Sequence, residues 1–306
     1  MDIPPGDRGN REGRNMKTSL DCMPCFVRQA LEAARLVSPD PAVQERIVRE
    51  TLRWAAETDL ARTPPAMGQR IHRRLRELTG VEDPYRAAKD RLNRMATVLL
   101  ADLEPEIAAS PDPLMTAVRL AIAANVIDMG AHGEVEEVVV RRVLREAMTQ
   151  PLAGDVEAFR RAVDRARDIL YLADNAGEIV FDRRLVERLG PSRVTVAVRG
   201  RPVLNDATLE DARAIGLSRI VRLVDNGSDA PATLLEDCSE AFLDLYRNAD
   251  LVLAKGQGNF ETLSDETADI YFLFKAKCPV IAALSGVPLG SLVLASTGPV
   301  GERNDP

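Results

Sequence analysis

The chain has 306 residues, 45% hydrophobic and 28% charged, with a formal net charge of −7. That length buries a full core without staples, and the acidic balance argues against a nucleic-acid partner, whose binders carry a basic excess. Four cysteines (Cys22, Cys25, Cys238 and Cys278) are too few for a disulfide framework and fit a reducing compartment. No run approaches about 18 apolar residues, and the opening MDIPPGDRGNREGRN lacks the apolar stretch of a signal peptide. A cytoplasmic protein, enzymatic and without a membrane partner, is expected.

Residues 1–15, rich in Pro, Gly, Asp and Arg, and residues 297–306 are expected to be disordered tails. From 16 to 165 the pattern is helical: Phe26, Ala30, Ala33, Ala34 and Val37 recur at three- and four-residue steps. Asp21 is placed to cap the first helix. Breaks at Ser38-Pro39-Asp40-Pro41, Thr63-Pro64-Pro65, Asp83-Pro84 and Ser110-Pro111-Asp112-Pro113 divide this half into about five to seven helices. From 166 to 296 short apolar runs alternate with helices. Strands are predicted over Ile169–Leu172, Val194–Val198, Ile220–Leu223, Leu251–Ala254, Ile270–Phe274 and Leu292–Leu294, with helices over Glu178–Leu189 and around Leu234–Arg247. Continuous apolar strands separated by helices indicate a mostly parallel sheet covered on both faces. The fold class is therefore α/β, a Rossmann-like three-layer α/β/α sandwich behind an N-terminal all-α subdomain.

Ligands of such sheets sit beyond the carboxyl ends of the strands, and those ends are chemically unusual here. The first strand runs into Asp174-Asn175-Ala176-Gly177-Glu178, the second into Arg199-Gly200-Arg201-Pro202-Val203-Leu204-Asn205-Asp206, and the fourth into Lys255-Gly256-Gln257-Gly258-Asn259-Phe260-Glu261. Asp174, the Asn175 carbonyl and Asp206 are hard oxygen donors suited to Mg²⁺ or Mn²⁺ rather than to tetrahedral Zn²⁺. Amides around Ala176–Glu178, at a helix N-terminus, could hold phosphate oxygens, and Lys255 with Arg199 could complete a positive cup around a phosphoryl group. Taken singly, Asp174 reads as a helix cap, Asn205-Asp206 as an Asx turn and Gly256-x-Gly258 as an ordinary turn. Three such clusters at strand ends are harder to explain as capping.

These motifs, DNAGE-x-x-x-D, VRG-x-P-x-x-ND-x-T and KG-x-GN-x-E in this order, resemble the metal-dependent damage-control phosphatases. That family was long catalogued as a domain of unknown function and includes a human member first described as an acidic-residue methyltransferase. The likeness runs from about Met16 to Leu294, and Cys22-Met23-Pro24-Cys25 resembles the prokaryotic subgroup. It implies a helical subdomain joined to a Rossmann-like one, binding of Mn²⁺, Ni²⁺, Co²⁺ or Mg²⁺, and hydrolysis of phosphate esters of damaged or excess small metabolites. The family's metal ligands carry over to Asp174, Asn175 and Asp206, and its substrate-contacting lysine to Lys255. Ala124-Asn125-Val126-Ile127-Asp128 resembles a Gly-Asn-x-x-Asp element facing the pocket, with Ala124 in place of the glycine.

On this reading Asp174, Lys255 and Glu178 are the catalytic candidates, and Asn175, Arg199, Lys255, Asn125 and Gly256 face the substrate. The attacking group is water or the Asp174 carboxylate; water is preferred, because an Asp tied to a metal is poorly free to attack. Glu178 either orients that water or favours the helix N-terminus by its charge. Two other classes stay open: a Rossmann-like methyltransferase, which would want a Gly-rich first turn that this chain lacks, and a non-catalytic metal-binding regulator. Cys22 and Cys25 are semi-buried thiols, half a metal site with Cys278 as a third ligand, or a redox pair. His72 and His132 stand alone, with His72 on a solvated basic face; Trp54 and Phe26 belong to the core. The physiological substrate and the oligomeric state are left open.

Overall fold

The computed structural model describes residues 16–131 and 137–297, with the backbone alone for 128–131. The two tails, His132 and the Asp128 side chain thus lie outside the described residues, apart from Thr297, whose N–H donates to the Ile270 carbonyl at 3.1 Å.

Proline sets the helical register of the first half as the sequence predicts. Helices α1 (Cys22–Val37), α2 (Pro41–Glu57), α3 (Pro64–Thr79), α4 (Arg86–Ala108) and α5 (Pro113–Ala123) follow in turn. Asp40 accepts from the Ala42 N–H at 2.9 Å and Asp112 from that of Met115 at 3.3 Å, so at α2 and α5 the residue before the proline caps the helix that the proline opens, whereas Thr63 makes no such cap at α3. Asp21 does not cap α1: its own backbone is already helical, and Ser19 accepts its N–H instead. A 3₁₀ segment (Ala124–Ala131), α6 (Glu137–Ala147) and α7 (Val156–Arg165) complete this half.

One strand was not legible in the helical pattern. β1 (Leu152–Gly154) has only three residues and pairs in parallel with the chain's last strand. Thereafter come β2 (Ile169–Leu172), α8 (Glu178–Leu189), β3 (Val194–Val198), α9 (Leu209–Ala214), β4 (Arg222–Asp225), α10 (Glu240–Asn248), β5 (Leu251–Lys255), α11 (Gly256–Leu263), β6 (Ile270–Lys275), α12 (Pro279–Ser285) and β7 (Leu292–Ser296). The third predicted strand lies two residues late, because Ile220 and Val221 close a 3₁₀ turn begun at Leu217. The helix expected from Leu234 starts at Glu240, where Ser239 accepts from the Phe242 N–H; Leu235–Asp237 is a 3₁₀ turn.

The strands form one sheet in the order β1-β7-β6-β5-β2-β3-β4, parallel except for β6 against β7. Alternation of side chains divides it into two cores. Ile169, Tyr171, Val194, Val196, Leu251 and Leu253 pack with α4 to α8 on one face. Leu170, Leu172, Val252, Ala254, Phe272 and Phe274 pack with α10 to α12 on the other. The three-layer α/β/α sandwich is thus present, and each fully buried Leu or Phe contributes about 1.5–3 kcal/mol to it. A third core (Phe26, Ala30, Ala34, Ile47, Ile71 and Leu75) binds α1, α2 and α3, with Trp54 partly buried against it. Among the described residues no helix is long and apolar enough to cross a membrane.

Chain order turns at β2. The chain moves to β3 and β4 on one side, then returns to β5 on the other. A crevice opens at such a reversal, beyond the carboxyl ends of the strands.

Candidate active site

Backbone hydrogen bonds join the loops after β2 and β3. Asn175 and Asp206 form an antiparallel bridge. The Ala176 N–H donates to the Asn205 carbonyl at 2.9 Å, and the Ala207 N–H to that of Asp174 at 2.8 Å. Asp206, remote in sequence, is thereby a neighbour of Asp174 and Asn175, and all three are buried. Gly256, directly after β5, closes the third side. Its φ of +83° suits glycine, and a Cβ there would stand 2.0 Å from Asp174 Oδ2.

The side chains form two linked ion-pair groups. Arg199, 1% exposed, donates from Nε to Asp206 Oδ2 at 2.6 Å and places Nη2 3.6 Å from Asp174 Oδ1. Glu178, also 1% exposed, accepts from Asn175 Nδ2 at 2.8 Å, from Asn125 Nδ2, and from Lys255 Nζ at 3.2 Å. Lys255 reaches Asp182 Oδ1 at 2.9 Å, and Tyr171 donates its hydroxyl to the same oxygen at 2.8 Å. Asp182 lies one turn beyond Glu178 on the inward face of α8.

Burial governs the ionisation of these groups. Asp174 is pushed well above the usual carboxylate range by desolvation and by the Glu178 and Asp206 charges, against the pull of Arg199 and Lys277. Burial, with Glu178, lifts Asp182 to about 6, although Lys255 and Tyr171 oppose the shift. For Lys255 burial alone would favour the neutral amine, but Asp182 and Glu178 outweigh it and hold the lysine cationic.

The structure brings together Asp174, Asn175, Glu178, Asp206, Arg199, Asn125, Lys255 and Gly256. It departs from the expected phosphate cup in two respects. The amides of Ala176 and Gly177 are already committed, to the Asn205 carbonyl and to Asn93 Oδ1 at 2.7 Å. Arg199 is turned to the carboxylates, Nε bonded to Asp206 and Nη2 in an ion pair with Asp174 but without a hydrogen bond among the described residues, rather than facing an open cup. His72 is not solvated: it is 4% exposed, and burial with the Arg76 charge lowers its pKa to about 4. Phe26 is core as expected, while Trp54 is half-buried with the Arg70 guanidinium 4.2 Å over its ring.

The structure adds four participants to those the sequence assigns a role. Lys277 lies just beyond β6 and its charge acts on Asp174; the available signal was lysine scarcity, since the chain has only Lys17, Lys89, Lys255, Lys275 and Lys277. Asp182 ends the DNAGE-x-x-x-D motif. Asn259 ends KG-x-GN and donates to the Lys255 carbonyl at 2.7 Å. Thr233, joined to Asn259 at 2.9 Å, had no signal.

A divalent cation fits the chemistry of this donor set. Two carboxylates and an amide carbonyl are hard oxygens, Asn175 Nδ2 is taken up by Asp174 and Glu178 so that Oδ1 is its donor toward a cation, and the carboxylates Asp174, Glu178, Asp182 and Asp206 outnumber the cations paired with them, Arg199 and Lys255. The carboxylates otherwise stand in ion pairs; among the described residues no three His, Cys, Asp or Glu side chains converge as a ready cage. Cys22 and Cys278 are half-buried free thiols and Cys25 an exposed one. Burial raises the Cys22 pKa, although a Ser19 backbone hydrogen bond opposes it.

Comparison with known proteins gives a consistent match. Residues 18–293 match the model for the damage-control phosphatase ARMT1-like domain. A damage-control phosphatase of Archaeoglobus fulgidus is 36% identical over 285 residues, 91% of this chain and 98% of the relative. A damage-control phosphatase of Pyrococcus horikoshii is 32% identical over 285 residues, 91% and 97%. The crystal structure of a DUF89 family protein from Pyrococcus horikoshii superposes with a TM-score of 0.84 at 30% identity, covering 92% of this chain and all of that one.

Proposed function

Since the chain belongs to the ARMT1-like damage-control phosphatase family, we propose that it is a metal-dependent phosphatase acting on phosphate monoesters of small metabolites, its metal held by Asp174, Asn175 and Asp206. The observation that carries this is the joining of the two loops, which sets those oxygen donors beside a buried lysine at the reversal of strand order.

Mn²⁺, Ni²⁺, Co²⁺ or Mg²⁺, when bound, would polarise the phosphoryl oxygens and ease ionisation of an attacking water. Arg199 holds the Asp206 carboxylate in place and offsets part of the charge of Asp174. Lys255, kept cationic between Glu178 and Asp182, offsets negative charge that develops on the phosphoryl group. Glu178 holds Asn175, Asn125 and Lys255 together, so its first role is to orient them. Asn125, Gly256 and Lys277 border the substrate side. Water is the nucleophile, because Asp174 is confined by Asn175, Arg199 and the approach of Gly256. The four free thiols suit a cytoplasmic setting.

The test is phosphate release from p-nitrophenyl phosphate by EDTA-treated protein, alone and with each divalent ion. Activity restored by Mn²⁺, Co²⁺ or Ni²⁺ supports the proposal; full activity in EDTA, or none with any ion, overturns it. A screen of sugar phosphates, nucleotides and cofactor phosphates then identifies the substrate.

A further inference from the structure

A buried asparagine on α4, outside the donor set, touches the first loop of the site and the helix that follows the second. Asn93, 5% exposed, accepts from the Gly177 N–H on Oδ1 at 2.7 Å and donates from Nδ2 to Asp211 Oδ1 at 3.2 Å. Gly177 lies two residues beyond Asn175, where φ of +80° turns its N–H toward α4; a Cβ there would meet Ile127 Cγ2 at 2.9 Å. Asp211 is fully buried and accepts from both the backbone N–H (3.0 Å) and the hydroxyl (2.8 Å) of Thr208, two residues beyond Asp206. One amide thus grips the Asp174-Asn175 loop with its oxygen and, through Asp211 in the first turn of α9 and its bonds from Thr208, ties in the end of the Asp206 loop with its nitrogen.

We propose that Asn93 is a positioning residue, which sets the separation of the two donor loops and through it the affinity of the site for a divalent cation; this rests on the donor set assigned above. Only an amide of this length serves both contacts. Aspartate would turn a second carboxylate toward Asp211, and leucine of similar size would leave the buried Gly177 N–H without an acceptor. Lys89, fully buried on the same helix, lies 3.3 Å from Asp211 Oδ2 and 2.7 Å from Asp83 Oδ2, and Arg86 lies 2.5 Å from Asp211 Oδ1. Asp211 is therefore held by α4 even without Asn93. What the asparagine adds is the tie between Asp211 and the Gly177 turn. Partners that orient metal ligands typically change metal affinity by about 10–100-fold when removed.

The experiment is titration of Mn²⁺ into the metal-free full chain by calorimetry, with melting followed by circular dichroism. Asn93→Leu should weaken Mn²⁺ binding by at least about tenfold while leaving the helical signal unchanged. Asn93→Ala, which leaves room for water, serves if the leucine variant does not fold, and should weaken binding in the same sense. Leu99→Ala, a core truncation on the same helix, should lower the melting temperature yet leave the Mn²⁺ dissociation constant within about twofold. If the Asn93 variants bind Mn²⁺ as tightly as wild type, or lose affinity only in step with Leu99→Ala, Asn93 is merely structural and the proposal falls. If the wild type binds no divalent ion, the donor set itself is at fault, which is a different result.

Discussion

Replacing Gly256 by alanine is the smallest change that disturbs the site. At φ +83° an L-residue is strained by about 1–2 kcal/mol. The added Cβ would also lie 2.0 Å from Asp174 Oδ2 and 2.3 Å from its Cγ, far inside the roughly 3.5 Å of a comfortable contact. The carboxylate must give way, at about 0.5–1.5 kcal/mol if it leaves its rotamer well. Together these come to about 1.5–3.5 kcal/mol, which lowers the melting temperature by roughly 2–5 °C in a chain of this size. Gly286→Ala is the control: its φ of +68° carries similar strain, but nothing lies within 4 Å of the new Cβ. It should cost about 1–2 kcal/mol and leave turnover unchanged. Gly256→Ala should lose at least about 100-fold in Mn²⁺-supported p-nitrophenyl phosphate hydrolysis, because Asp174 is displaced. Turnover near wild type in Gly256→Ala would show that Asp174 has freedom to relax, and would refute its role as a fixed ligand.

Three further outcomes are expected. Asp206→Ala should weaken Mn²⁺ binding and cut activity at least about 100-fold, whereas Lys255→Met should retain the metal and lose mainly turnover; equal loss of metal in both would contradict the separation of roles. His72 is neutral when folded, with its pKa lowered by burial to about 4, so the unfolded chain takes up the extra proton between about 6.5 and 4. Its contribution is present above about pH 6.5 and lost on acidification, up to about 3 kcal/mol. His72→Phe should therefore show a flatter decline in melting temperature over that window than wild type, and parallel curves would contradict the assignment. The double variant Cys22→Ser, Cys25→Ser should keep its activity and its metal content by elemental analysis; loss of one metal per chain would instead establish a thiolate site.

The helices of the first half and the identity of most strands were legible in the sequence because they depend on local signals. Proline fixes φ wherever it stands, so Pro41, Pro64 and Pro113 open helices independently of their neighbours. An unbroken apolar run such as Ile169–Leu172 is buried on both faces however the sheet is ordered. The three motifs also named the residues that meet at the strand ends, since loops after parallel strands gather on one edge. Order, partners and burial could not be read locally. β1 has three residues, too few for a period to appear, and exists only because β7 gives it a ladder partner. His72 stands among arginines in sequence, yet α3 turns it inward while Arg73 and Arg76 turn to Asp229. Lys255 and Glu178 pair across 77 positions, and Arg199 turns to Asp206 rather than to an open cup. A buried charge takes the nearest opposite charge that the packing supplies, because leaving it unpaired in a dry interior costs several kcal/mol. Tertiary structure alone decides which charge that is.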